Sequence, residues 1–349
     1  MKELLTPRER FNLLVIDEPQ DRVPVFPLVT SHAARVASIS VSEYVTDGRV
    51  MAEAQLLARE KYGHDFISFF SEVGIIAEAL GSEFEFPQDD LPMLVRPRWQ
   101  ELPDESALTD FSSLSEKGRL CVYLEAIDVA YEAVGDRVPI LAYIPAPFTT
   151  CQHLVETENF LLGLMLEPRK IHDLLAWATR AVIDFSRACI EAGALPLLVD
   201  PLASGSVVSA EHFREFCLPY EKRVIDYWHR YDLDVILHIC GDTSGIVELL
   251  PDTGADLLSL DRIDLKQAVA KAGSRCRLIG NFHTTDIWLS SPETIAQAAS
   301  EMVATGRECP MGYIASTGCE IPLATPAENI RTFIRACSEA GANPQFGRV

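Results

Sequence analysis

A chain of 349 residues, 48% hydrophobic and 23% charged, carries enough apolar material for one large core or two smaller ones. Its 51 acidic side chains against 30 basic ones, a formal charge of -21, argue against nucleic acid as a partner, because phosphate recognition needs a cationic footprint. No apolar run approaches the roughly 18 residues of a membrane span. The charged opening Met1 to Arg10 lacks the apolar stretch of a signal peptide. Nine scattered cysteines, an odd number, then point to a reducing cytoplasm without disulfides.

In chain order, residues 4–17 have the spacing of an amphipathic helix. Val23 to Val29 reads as a strand despite Pro24 and Pro27. Residues 31–63 read as mostly helical and Asp65 to Phe70 as a short strand. Residues 72–100 form an insertion, with a helical turn at 77–81 and a Phe-Glu-Phe segment that suits a hairpin over a barrel mouth. Helix 114–136 leads to strand 138–144 and a rigid loop, Pro145 to Thr150. Helices 152–166 and 168–193 precede strand 195–199. Helix 209–230 precedes strand 235–240. Gly241 to Leu250 reads as the opening of another helix, before strand 256–260 and helix 264–272. Strand 277–281, helix 292–306, the run ending at Ala315 and helix 326–340 complete the series. Eight short apolar strands alternating with helices predict a single α/β domain over residues 1–349, a (β/α)8 TIM barrel with an N-terminal extension and an insertion.

Chemistry gathers at the predicted strand ends. In Val235-Ile236-Leu237-His238-Ile239-Cys240-Gly241, residues two apart share a face, so His238 and Cys240 aim at one point. Far downstream, Gly318-Cys319-Glu320 supplies a cysteine in a glycine turn after another apolar run. One imidazole and two thiols suit zinc with a fourth position open. Two thiolates and a neutral imidazole leave Zn²⁺ formally neutral, which favours activating a substrate thiol over making hydroxide. Asp261, at the next strand end, reads either as a displaceable fourth ligand or as the N-cap of the following helix. Asp242 reads as a cap, with a hydrogen bond to His238 as the alternative. Asp200 either contacts a ligand or starts the Pro201 turn, and Pro147 and Phe148 either shape a pocket wall or stiffen their loop. His32, His153 and His283 sit where they can line the mouth; His64, His172, His212 and His229 read as surface residues. The remaining cysteines have no ligand spacing and read as core.

These residues carry a resemblance. The chain resembles the uroporphyrinogen decarboxylase superfamily, and within it the methylcobamide:coenzyme M methyltransferases. The matching pieces are Asp21 to Val25, Gly135 to Pro139, Pro147-Phe148-Thr149, Phe213 to Tyr220, Leu237 to Gly241, Ile279-Gly280-Asn281 and Gly318 to Pro326. The resemblance implies zinc held by His238, Cys240 and Cys319. It implies methyl transfer from a methylcorrinoid, carried by a separate corrinoid protein, to a small thiol such as coenzyme M. Ile236 stands where an Asp-x-His-x-x-Gly corrinoid motif needs its aspartate, so the corrinoid would come from that partner. Decarboxylases of the superfamily hold propionates with an Arg-Gln-Ala-Gly-Arg element, absent from Thr30-Ser31-His32-Ala33-Ala34-Arg35. Cobalamin-independent methionine synthase is similar at the metal, which keeps homocysteine as an alternative acceptor.

Overall fold

In a computed structural model of the chain, residues 4–70, 72–111 and 114–346 are described. The strands are β1 (Val25–Leu28), β2 (Ile67–Phe69), β3 (Glu83–Glu85), β4 (Met93–Arg96), β5 (Ile140–Pro145), β6 (Leu195–Val199), β7 (Ile236–Asp242), β8 (Leu257–Arg262), β9 (Arg277–Phe282) and β10 (Tyr313–Glu320). Eight of them run parallel in the order β1-β10-β9-β8-β7-β6-β5-β2. With helices around the sheet, this is the expected (β/α)8 barrel. β3 and β4 form the separate antiparallel hairpin of the insertion. Its Phe84 meets Gly74 beyond β2 and stacks on His153 in the helix after β5, which puts it on the C-terminal side of the barrel.

Two strands close the ring differently. Among the described residues no ladder joins β1 to β2. Asp65 bridges them instead, its N–H donating to Val25 O (2.9 Å) and its carboxylate accepting from Val25 N (2.7 Å). The same carboxylate pairs with Arg10 and Arg22, both at 2.7 Å, and Arg10 also grips Asp21. Burying guanidinium groups is costly unless each finds carboxylates, and here they do.

Arg10 sits on the helix Pro7–Val15, whose start is fixed by reciprocal bonds between Thr6 and Glu9. Phe11 and Leu14 of this helix join Phe26, Phe66, Leu141, Leu197, Ile236, Leu257, Ile279 and Ile314 in one buried cluster inside the barrel. The helix therefore plugs the N-terminal face, each large side chain contributing about 1.5–3 kcal/mol by leaving water.

Three expectations need correction. Pro145 to Thr150 is not a loop: Pro147 opens a helix, Pro147–Leu154, where a missing N–H costs nothing. Gly241 to Leu250 does not open an α-helix; turns lead to a short 3₁₀ segment, Leu250–Thr253. The run before Cys319 does not end in a turn, because β10 continues through Gly318 and Cys319 to Glu320. Gly318 is required there: a Cβ would lie 2.6 Å from Asp261 Oδ1.

Candidate metal centre

β7 delivers His238 and Cys240 to the C-terminal mouth, and β10 brings Cys319 to meet them. His238 Nε2 lies 2.9 Å from Cys240 Sγ, and Cys240 Sγ 3.3 Å from Cys319 Sγ. The three ligand atoms fall within 4.8 Å of one another. A tetrahedral ion with bonds of about 2.3 Å to sulfur and about 2.0 Å to nitrogen separates neighbouring ligands by about 3.5–3.8 Å, so small side-chain rotations would admit it. The donor set, two sulfurs and an imidazole, fits a thiophilic divalent metal.

The local backbone explains this convergence. The β7–β8 register shifts between Ile239 and Asp242, and Gly241 adopts a φ of 73° that an L side chain rarely tolerates. Asp261 Oδ2 accepts from Gly241 N at 2.8 Å and fastens this turn to β8. His238 Nδ1 meets Ser259 Oγ at 2.9 Å inside the barrel, which fixes the ring and leaves Nε2 toward the thiols.

The thiol pair shares its protons unequally. The hydrogen bond from Cys240 holds Cys319 well below the usual thiol range, and His238 adds to the effect. The reciprocal bond and burial push Cys240 up. Burial also raises the Asp261 carboxyl, against the bond from Gly241.

Above the triad lies a cavity of about 30 Å³. Leu28, Phe70, Val73, Tyr143, Val199 and Pro201 form its apolar walls. Thr30 and Glu320 are its polar members beside the triad. Glu320 accepts hydrogen bonds from the Thr30 hydroxyl and, at 3.3 Å, from Ser31. Burial pushes its carboxyl up to about 7, and Thr30 opposes the shift. Burial, with Cys319 nearby, holds the Tyr143 phenol far above its ordinary range.

The other expected site residues lie elsewhere. Asp261 stands beside the triad but outside its close group, and Asp264, not Asp261, caps the helix Leu265–Ala272. Asp242 accepts from Ser244 N at 2.9 Å and so caps a turn. Asp200 is fully buried and faces away from the cavity, accepting from Thr149 N and Oγ1. Phe148 is core, edge-on to Phe160, and neither Phe148 nor Pro147 lines the cavity. His283 is exposed and faces a separate open cleft with Asp286 and Lys266. His32 is tied to Leu323 O and Tyr62, and His153 to Thr149 O. His64, expected on the surface, is buried. Of the other cysteines only Cys121 is exposed.

A sequence model of the uroporphyrinogen decarboxylase (URO-D) family matches residues 6–340. The chain belongs to this family. Among curated URO-D-like relatives, it is 28% identical over 340 residues to the methylated-thiol–coenzyme M methyltransferase of Methanosarcina mazei, covering 96% of this chain and 90% of that protein. It is 28% identical over 339 residues to the methylcobamide:CoM methyltransferase MtbA of Methanosarcina acetivorans, covering 94% and 96%. A solved structure described as a methyltransferase from Methanosarcina mazei superposes with a TM-score of 0.88 at 26% identity, covering 96% of this chain and 99% of that one.

Membership of the URO-D family does not by itself choose between its chemistries. Sequence reasoning missed Ser259, Tyr143 and Glu320. Ser259 had a signal: a hydroxyl residue amid Leu257, Leu258 and Leu260, on the strand next to the His-x-Cys strand.

Proposed function

We propose that this URO-D family member is a zinc-dependent methyltransferase that moves a methyl group from a methylcorrinoid, carried by a partner protein, to a small thiol. Coenzyme M is the acceptor named in its curated relatives. The observation that carries this reading is the convergence of His238, Cys240 and Cys319 on one point below an apolar cavity. Zinc bound there would lower the pKa of an incoming thiol while remaining a modest Lewis acid beside two sulfurs. Ser259 holds the imidazole, and Asp261 holds the Gly241 turn that aims Cys240. Asp261, beside Cys240 through the Gly241 turn, is the candidate for a resting fourth ligand that the acceptor would displace. The apolar walls exclude water and so keep the thiolate reactive. The acceptor's thiol would release its proton to solvent on binding, and its sulfur would then attack the methyl carbon. A carbon–sulfur bond forms as the carbon–cobalt bond breaks, and that bond's electron pair stays with the corrinoid.

Decarboxylation, the activity after which the family is named, is supported less well. No Lys or Arg is among the residues lining the cavity, so nothing there would pair with propionates. The test is to assay untagged protein for bound metal, then mix it with methylcobalamin and candidate thiols, homocysteine included. Stoichiometric zinc and thiol-dependent appearance of reduced corrinoid are expected. Metal-free protein that turns over porphyrinogens would overturn the proposal.

A further inference from the structure

One side chain away from the cavity ties the metal-binding strands together. On its β9 side, β8 pairs Leu257 with Arg277, Leu258 with Leu278 and Ser259 with Ile279. Among the described residues this ladder ends there, two positions short of Asp261. The Asn281 side chain takes over from it. Its amide nitrogen donates to Asp261 O at 3.0 Å and to Ile263 O at 2.7 Å. Asp261 O also accepts from Ile263 N at 3.2 Å, so the two carbonyls belong to one tight turn. Carbonyls beyond the end of a ladder need other donors, and a side-chain amide has two hydrogens to give.

The turn matters because of what Asp261 touches. Its Oδ2 accepts from the N–H of Gly241, the residue after Cys240. Its Oδ1 lies against Gly318, the residue before Cys319, where a Cβ would come within 2.6 Å. Asp261 thus stands between the two strands that carry the thiols. Asn281 in turn pairs along its main chain with Ser316 of β10, three residues before Cys319. Gly241, Asp261, Asn281 and β10 therefore make an unbroken circuit of contacts from one thiol to the other. Asn281 itself lines the open cleft beside His283, not the cavity above the triad.

Resting on the reading of His238, Cys240 and Cys319 as metal ligands, we infer that Asn281 is a positioning residue of this centre: by fixing Asp261 it sets the gap between the Cys240 and Cys319 sulfurs. Asn281→Leu removes both donors at nearly constant size. Asn329→Leu is the control, because that buried amide grips Ile287 O at 2.9 Å and Ser290 O at 3.2 Å and no residue of the site. Full-length proteins are loaded with zinc or cobalt(II). Zinc affinity is read by chelator competition, and coordination geometry from the cobalt(II) absorption bands.

Asn281→Leu should weaken zinc binding about tenfold and shift the cobalt(II) bands, whereas Asn329→Leu should lower the melting temperature and leave both metal readings at wild type. The decisive comparison is the double variant. Asp261→Ala with Asn281→Leu should bind zinc no more weakly than Asp261→Ala alone, since Asn281 acts through Asp261. Zinc affinity within about twofold of wild type in Asn281→Leu, with unshifted bands, overturns the inference. So does a double variant in which the two losses multiply, or a control that moves the metal readings as far. If Asn281→Leu does not fold, Asn281→Ala, which lets water from the open cleft reach both carbonyls, is held to the same outcomes. Wild-type protein that takes up neither zinc nor cobalt(II) overturns the metal reading itself, and this inference with it.

Discussion

Ser259→Ala is a sharp test of how the metal centre is held. The hydroxyl lies 2.9 Å from His238 Nδ1, and both residues are almost wholly buried, at 2% and 3% exposure. Removing it leaves a buried ring N–H unmet, which costs about 1–3 kcal/mol. It also frees the ring to turn and to change tautomer. Partners of metal-binding imidazoles typically account for about 10–100-fold in affinity, or about 1.4–2.7 kcal/mol, and the two ranges agree. Zinc affinity measured by competition with a chromogenic chelator should therefore fall about 10–100-fold, whereas Ser259→Thr, which keeps the hydroxyl, should lose little. An alanine variant within about twofold of wild type would show that Ser259 does not set the imidazole, and the reasoning would fail.

Other outcomes follow from the same geometry. Cys240→Ala and Cys319→Ala should each lose both bound metal and methyl transfer; elemental analysis showing full zinc in either would remove that residue from the ligand set. Asp261→Ala should keep the ion at about tenfold lower affinity, because it releases the Gly241 turn without deleting a member of the triad, and complete metal loss would make it an obligatory ligand. Burial raises Asp200 to about 7, and burial, with Asp200 beside it, holds Glu221 well above the usual carboxylate range. The native state therefore binds more protons than the unfolded chain, and this contribution is full below the unfolded carboxyl pKa and fades as pH rises through about 7. Asp200→Asn should flatten the fall in melting temperature between about pH 4 and pH 7, and an unchanged slope would show that the pair does not titrate there. Phe11→Ala at the barrel floor should cost about 3–5 kcal/mol in denaturant unfolding while leaving zinc content intact.

Much of this architecture was readable from pattern. Strands such as β6 and β8 are short apolar runs that end at an aspartate, and two-residue periodicity placed His238 beside Cys240. The same periodicity bears on Asp200. Val199 joins the cluster inside the barrel, so its neighbour Asp200 turns outward, to Thr149. Nearness to a strand end placed Asp200 at the mouth without saying which way it pointed. Local propensity also misled at Asp242-Thr243-Ser244, which resembles a helix start. The register shift behind Gly241 instead demands a turn, and a shift between paired strands leaves no mark in either strand alone. Glu320 follows a ligand directly, yet only the folded mouth reveals that Thr30, 290 positions earlier, orients it.

The seam between β1 and β2 has a bearing on the cavity wall. Past that seam the chain continues to Leu28 and Thr30 on one side and to Phe70 and Val73 on the other, all of them in the cavity wall. Elsewhere in the ring, prying neighbouring strands apart would sever rows of main-chain bonds, but here the fastening is Asp65 at the far end, through one main-chain bond and its carboxylate. Among the described residues, the wall of the cavity is thus held at this seam without a strand ladder behind it.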